Sequence, residues 1–365
     1  MSGVLVHEWL APTGGSENVF EELSRIFPDA ARYCLWNTSD GRFAGVAETW
    51  LARTPLRGHK AAAVPLMPFA WRALPALEAD WVLCSSHLFA HHARFAGPAR
   101  GAPKLVYAHT PARYIWTPEL DQRGAGPLAR LAAAALKPLD RRRAQEPVAI
   151  AANSRFVADR VARAWDREAT VIYPPVDTSR FAAGPAPTEK ARAVLAGLPA
   201  DFLLVVSRWV SYKRVDAAIR VGLMTGHPVV VAGQGPDEAR LREIAAQHPG
   251  RVVIVGHPPR AVLRALYQRA AALVFPAVED FGIVAVEAMA AGTPVLVNAV
   301  GGAGEAVVDG VTGAHVRDWE SPTEVRAALE RALTATAAAC RARAAEFDRA
   351  AFGDRIRAWV HETTA

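Results

Sequence analysis

Cysteine is scarce in this chain. Its 365 residues include three, Cys34, Cys84 and Cys340, far apart and without a C-x-x-C pair, so neither a zinc knuckle nor a disulfide framework is indicated. There is also no apolar run near the ~20 residues that a membrane-spanning helix needs. The opening MSGVLVHEWL turns into a strand almost at once, and no hydrophobic stretch of a secretion signal fits it. Together these absences lead to the expectation of a reducing, cytoplasmic location, with the inner face of a membrane as a further setting. A formal net charge of +6 is too small an excess to mark a nucleic-acid binder by itself, though it suits a protein that meets nucleoside diphosphates. No two aspartates stand as D-x-D, a common metal-holding pair. No G-x-x-x-x-G-K-[ST] occurs, which argues against a P-loop kinase, and the first glycine pair lacks the G-x-G-x-x-G pattern and trailing acid of a dinucleotide-binding half.

What the chain does have is core-forming material: 51% of its residues are hydrophobic, enough for about two domains of ordinary size. Short apolar runs alternate with amphipathic helical stretches, as in a parallel sheet. The first half gives GVLVHEWL, SENVFEELSRIF, ARYCLW, ADWVLCSS, KLVYAHTP, PVAIAANS and ATVIYPP. A Pro- and Ala-rich stretch at 173–192 reads as a linker. A second series follows: FLLVVSRWV, HPVVVAGQGP, RVVIVGHPP, AALVFPAVEDFG and TPVLVNAVGG. The expected layout is one α/β domain at 1–175, a second at 176–345 and a terminal helix at 346–365.

Ligands of open α/β sheets bind beyond the carboxyl ends of the strands, and the chemically telling residues fall at such ends. In the second half, FLLVVS runs into Arg208, with Lys213 five residues on. A guanidinium fork and an ammonium point charge together neutralise a diphosphate. An exposed basic loop is the plain alternative for R-x4-K taken alone, but here Gly233-Gln234-Gly235-Pro236 and EDFGIVAVE follow it. In that last stretch Phe281-Gly282 turns a strand end into a helix, leaving the first backbone N–H groups aimed at an anion. Glu279 and Glu287 flank the turn, and charge avoids burial unless it is given a partner. In the first half, Gly14-Gly15 opens a helix and lets backbone approach a phosphate or sugar closely. His109 ends another strand before Pro111, followed by Arg113, Tyr114 and Trp116. His87 and His91 stand at i and i+4, the spacing by which one helix face can hold zinc. The general-base glutamate and an obvious third ligand are missing, so lining a cleft is the reading for Ser85-Ser86-His87, and no metal site is expected.

The E-x7-E stretch, the R-x4-K pair and the His109-Thr110-Pro111-x-Arg113-Tyr114-x-Trp116 segment resemble the retaining GT-B glycosyltransferases of family 4 (group 1), in particular a bacterial branch that includes mannosyltransferases of polysaccharide assembly. The resemblance covers essentially the whole chain. It implies two doubly wound Rossmann-like domains facing across a cleft, with the C-terminal helix crossing back to the first. It implies hexose transfer from a nucleotide diphosphate sugar, with GDP-mannose as the expected donor, to a hydroxyl of a glycan, glycolipid or small-molecule acceptor, without a divalent metal or other cofactor. By the resemblance Arg208 and Lys213 stabilise the leaving diphosphate, helped by Gly14, Gly15 and the backbone of Phe281, Gly282, Ile283 and Val284. Glu287 takes the ribose hydroxyls, Glu279 binds the transferred sugar and His109 sits near its anomeric carbon. Gly256 and His257 grip the base, although Pro258 and Pro259 stand where relatives often carry a polar or acidic residue. Arg113, Tyr114, Trp116 and His87 face the acceptor. A natural-product enzyme using a UDP- or dTDP-sugar, and a non-catalytic nucleotide-sugar-binding protein, are the alternatives. The apolar and basic segment from His59 to Arg72 suggests peripheral membrane contact, with ordinary packing as its counterpart.

Overall fold

Runs of Val, Leu and Ala buried on both faces build two all-parallel sheets, as expected where helices cover both sides. The computed structural model describes residues 2–117, 126–182 and 188–364. These fall into two units, Met1–Pro175 with Phe352–Ala365, and Val176–Ala351.

In the first unit the strands are β1 (Gly3–His7), β2 (Ala31–Cys34), β3 (Ala47–Glu48), β4 (Trp81–Ser86), β5 (Lys104–Ala108), β6 (Ala149–Ala152) and β7 (Thr170–Val171). They lie in the order β3-β2-β1-β4-β5-β6-β7, so the winding reverses between β1 and β4, where ligands of such sheets sit. The register pairs His7 with Ser85 and Ser86 with Ala108, which brings three strand ends level. The short β3 was not evident in the sequence. The helix Gly15–Ile26 buries Val19, Phe20 and Leu23. Against the same core lies the C-terminal helix Arg349–Thr364, through Phe352, Ile356, Trp359 and Val360. Each such side chain contributes roughly 1.5–3 kcal/mol relative to exposure.

In the second unit the strands are β8 (Leu203–Arg208), β9 (Val229–Gln234), β10 (Val252–Gly256), β11 (Ala272–Phe275), β12 (Val295–Asn298) and β13 (Gly313–Val316). Their order is β10-β9-β8-β11-β12-β13, with the reversal between β8 and β11. The stretch read as a linker carries a short helix, Ser179–Ala182, and the start of another, Glu189–Ala196, while Val176 bridges to Asp348. Residues 183–187 of it lie outside the described residues.

Candidate functional site

At the β8/β11 reversal of the second unit, the basic and acidic motifs meet. Lys213 sits on a single 3₁₀ turn, Ser211–Lys213, just beyond β8. Glu279 is in the loop after β11, and the two side chains form an ion pair. Lys213 also lies over the rings of Tyr212 and Phe275, at 5.5 and 5.9 Å. Arg208 is exposed and donates to Tyr212 Oη at 2.7 Å. Arg214 next door turns the other way. Its backbone takes the left-handed conformation (φ 51°), and its guanidinium reaches Glu320 at 3.2 Å.

Backbone close-packing holds this loop. Gly301, at φ +110°, could carry no side chain without approaching within 3.0 Å of Glu279 O, and Gly302 N–H donates to that oxygen at 2.8 Å. The Gly301-Gly302 turn escaped sequence reasoning, although a glycine pair opening a helix was the same signal noticed at Gly14-Gly15. Gly233 and Gly235 have a packing reason: a Cβ on either would collide with the backbone of Ser207 or Trp209. Gly282, left-handed at φ +81°, caps the helix Ile283–Ala291. By helix geometry the first N–H groups there have no intrahelical acceptor, and Phe281 is buried against Phe347. Glu287, one turn in, accepts a hydrogen bond from Tyr267 Oη at 3.0 Å. Burial raises its carboxyl to about 7, against the lowering effect of Tyr267 and Arg180. Gly256 is left-handed with open space where a side chain would be, and His257 beside it is exposed.

Uncharged rings and hydroxyls dominate the strand ends of the first unit. His109 Nε2 lies 2.8 Å from Ser85 Oγ, which in turn lies 3.0 Å from His7 Nδ1. Burial lowers His109 to about 3 and His7 well below its usual value. His87 stands edge-on to Trp9 at 4.8 Å and 6.2 Å from the His109 ring. At Gly14-Gly15 the group on the helix N-terminus is the protein's own: a Cβ on Gly14 would lie 1.9 Å from Glu17 Oε2. Glu17 is buried, accepts from Ser16 Oγ at 2.9 Å, and its carboxyl is raised by that burial.

Beneath these ends runs a second polar chain. Glu8 Oε1 accepts from the N–H groups of Leu88 and Ala90 and from Ser86 Oγ, and Ser86 Oγ lies 3.1 Å from His91 Nδ1. His91 and His92 each bring Nε2 to 3.1 Å from Asp140 Oδ1, while Trp116 and Trp165 donate their indole N–H groups to Oδ2 at 2.7 and 2.8 Å. The sequence pairing of His87 with His91 on one helix face therefore does not occur. The segment makes only a 3₁₀ turn, Ala90–His92, and the two rings serve different clusters. His91, His92 and Asp140 have metal-ligand chemistry and lie together, but the two indole N–H groups and the His92 imidazole already hydrogen-bond the buried carboxylate, as a buried charge requires. The Trp116 N–H is thus used within the protein, and Lys137 and Arg141 lie over its ring, each 5.4 Å from the centroid. Arg160, also missed in the sequence, brackets the segment by donating to Thr110 Oγ1 at 3.0 Å and Thr117 Oγ1 at 2.7 Å. Arg113 and Tyr114, half-buried, lie between these two anchors.

Two family profiles match the chain end to end of one another: "Glycosyltransferase Family 4" over residues 13–180 and "Glycosyl transferases group 1" over residues 188–349. Each half of the chain thus resembles one of these two glycosyltransferase families. Relatives known by sequence include a D-inositol 3-phosphate glycosyltransferase of Mycobacterium avium (strain 104), 38% identical over 53% of this chain and 47% of that protein. A glycogen synthase of Mycobacterium tuberculosis (strain ATCC 25618 / H37Rv) is 40% identical over 40% of this chain and 35% of its own length. The chain thus matches less than half the length of these curated relatives. The crystal structure of Anabaena Alr3699/HepE in complex with UDP superposes with a TM-score of 0.72 at 19% identity, covering 99% of this chain and 100% of the other, which shows a shared fold.

Proposed function

We propose that this chain transfers a hexose from a nucleotide diphosphate sugar to a hydroxyl group, with retention at the anomeric carbon and without a divalent metal. The contact between Lys213 and Glu279 carries the reading: R-x4-K and E-x7-E, 66 residues apart, put their charges side by side at a sheet's reversal point. Lys213 and Arg208 neutralise charge growing on the departing diphosphate, where preorganised donors lower the barrier most. Glu279 leaves Lys213 to take hydroxyls of the transferred sugar. Glu287, ionised above about pH 7, accepts the ribose hydroxyls, and Gly256 with His257 lies toward the base. His109, held neutral, acts through a hydrogen bond and not as a cation or a strong base. With Glu279 committed to hydroxyls, departure and attack on the same face of the sugar is the route.

GDP-mannose is the donor favoured by the His109–Trp116 segment. The UDP bound to the similar HepE favours a UDP-sugar as the second reading. For the acceptor, Arg113, Tyr114, the Trp116 ring and His87 are the contacts, and a glycolipid is one candidate. Phe69 and Leu66, 66% and 37% exposed, support peripheral membrane contact, while Met67, Ala70 and Trp71 of the same segment belong to the core. Incubation of the protein with GDP-mannose or UDP-glucose and a sugar or lipid-linked acceptor, followed by NMR of the product, tests the reading. An α-linked product in the presence of EDTA is expected. An inverted linkage, or no nucleoside diphosphate released from any donor, overturns it.

A further inference from the structure

His7, Ser85 and His109 come from three neighbouring strand ends and make one hydrogen-bonded chain, His7 Nδ1 to Ser85 Oγ at 3.0 Å and Ser85 Oγ to His109 Nε2 at 2.8 Å. His7 and Ser85 are wholly buried, and His109 nearly so. A serine hydroxyl has one proton and two lone pairs, and the two rings are the only partners of Ser85 Oγ among the described residues, so the proton is used only if Ser85 donates to one imidazole and accepts from the other. Two arrangements keep both contacts and use that proton. In the first, Ser85 donates to His109 Nε2, and His7 donates from Nδ1 to Ser85, which leaves a bare lone pair on His7 Nε2. In the second, every direction reverses, and His7 carries its proton on Nε2. That nitrogen is buried and has no partner among the described residues. An orphaned buried N–H is rarer than an under-used buried acceptor and leaves a strong donor unsatisfied. The first arrangement is therefore the stable one.

We propose that His7 and Ser85 are positioning residues that fix His109 as its Nδ1–H tautomer, so that His109 presents a hydrogen-bond donor to an oxygen of the bound nucleotide sugar. His109 Nδ1 is the ring nitrogen with no protein partner among the described residues, and it is not sealed from solvent. The His7 ring stacks on Phe20 with centroids 5.0 Å apart and planes 26° from parallel, which holds its plane. Burial keeps both rings uncharged at neutral pH. The identity of the oxygen rests on the proposed function; the tautomer rests on the three-residue geometry alone.

Long-range ¹H–¹⁵N NMR of protein labelled at histidine, with His109 assigned by its loss in His109→Asn, decides the point at neutral pH. The Nδ1–H pattern is expected for His109, against the Nε2–H form usual in water. An Nε2–H pattern, or a His109 ring that titrates near its ordinary value, overturns the proposal. His7→Phe keeps a ring on Phe20 but removes the donor to Ser85. In it the Nε2–H signal of His109 should grow, and kcat with the correct donor should fall roughly 10-fold while KM moves far less. An unchanged tautomer in that variant contradicts the role of His7, and should the variant not fold, the parent spectrum still decides. An Nδ1–H ring in a protein that transfers no sugar counts against the proposed function and leaves the tautomer standing.

Discussion

The two units place opposite kinds of chemistry at equivalent ends of equivalent sheets. Beyond β8 and β11 the second unit sets opposite charges on short loops, Lys213 against Glu279, with Arg208 left exposed. Beyond β1, β4 and β5 the first unit sets neutral histidines and hydroxyls, all buried and chained by hydrogen bonds. A departing diphosphate needs charge that is already in place, and charge survives there because a partner or solvent compensates it. A hydroxyl-bearing substrate needs directed donors and acceptors, which burial makes rigid and keeps uncharged.

The sharpest way to break this contrast is to disturb the buried chain. Asp140→Ala would strand His91, His92 and two indole N–H groups, costing about 3–5 kcal/mol and lowering Tm by roughly 6–20 °C. Burial works to raise the Asp140 carboxyl, but His91 and His92 outweigh it and hold it below the usual range. That stability is present above the unfolded carboxyl value and is lost as pH falls through the folded one. A Tm within two degrees of the parent protein would show that the cluster does not matter to folding. Next in size, Lys213→Ala should lower kcat by about 10²–10³ with little change in Tm; turnover at the parent rate would remove Lys213 from the chemistry. Glu279→Gln should lower kcat more than it raises the donor KM, and the double variant should fall short of the product of the two, because contacting residues are coupled. Equal, purely additive effects would separate the pair.

Glu287→Gln sharpens the comparison through pH. In the parent, nucleoside diphosphate should bind more tightly between pH 6 and 8 as the carboxyl ionises near 7, and the Gln variant should lose both that trend and about 1–2 kcal/mol of binding. The stability effect has the opposite sign: a raised carboxyl stabilises its neutral form, so that contribution fades as pH rises through about 7. Calorimetric titrations that show identical pH trends in both proteins would contradict the role. Smallest of all, Arg214→Ala removes only an exposed pair with Glu320, worth at most about 1 kcal/mol, and steady-state rates should stay within about two-fold.

The contrast also explains what the sequence disclosed. Both doubly wound sheets were legible because each strand is a compact apolar run bounded by turn residues. The charged motifs of the second unit were legible because each lies on one loop or one helix turn, so spacing alone places its members together. His109 was legible as a strand end. Its partners His7 and Ser85 were not, because parallel register, and not sequence proximity, sets them side by side. Asp140 lies on a different helix from every residue it serves, and no spacing pointed to it. Glu17 over Gly14 was hidden for a different reason: a side chain folding back on its own helix N-terminus leaves no pattern distinct from a phosphate-binding glycine turn.

Titration calorimetry of GDP and UDP in EDTA, with the parent protein and Lys213→Ala side by side, tests most directly the claim that a basic pair stands in for a cation. One nucleotide should bind in EDTA within about two-fold of its affinity in magnesium, and Lys213→Ala should weaken it roughly 10-fold. Binding that appears only with magnesium or manganese, or that is indifferent to Lys213, would contradict that claim.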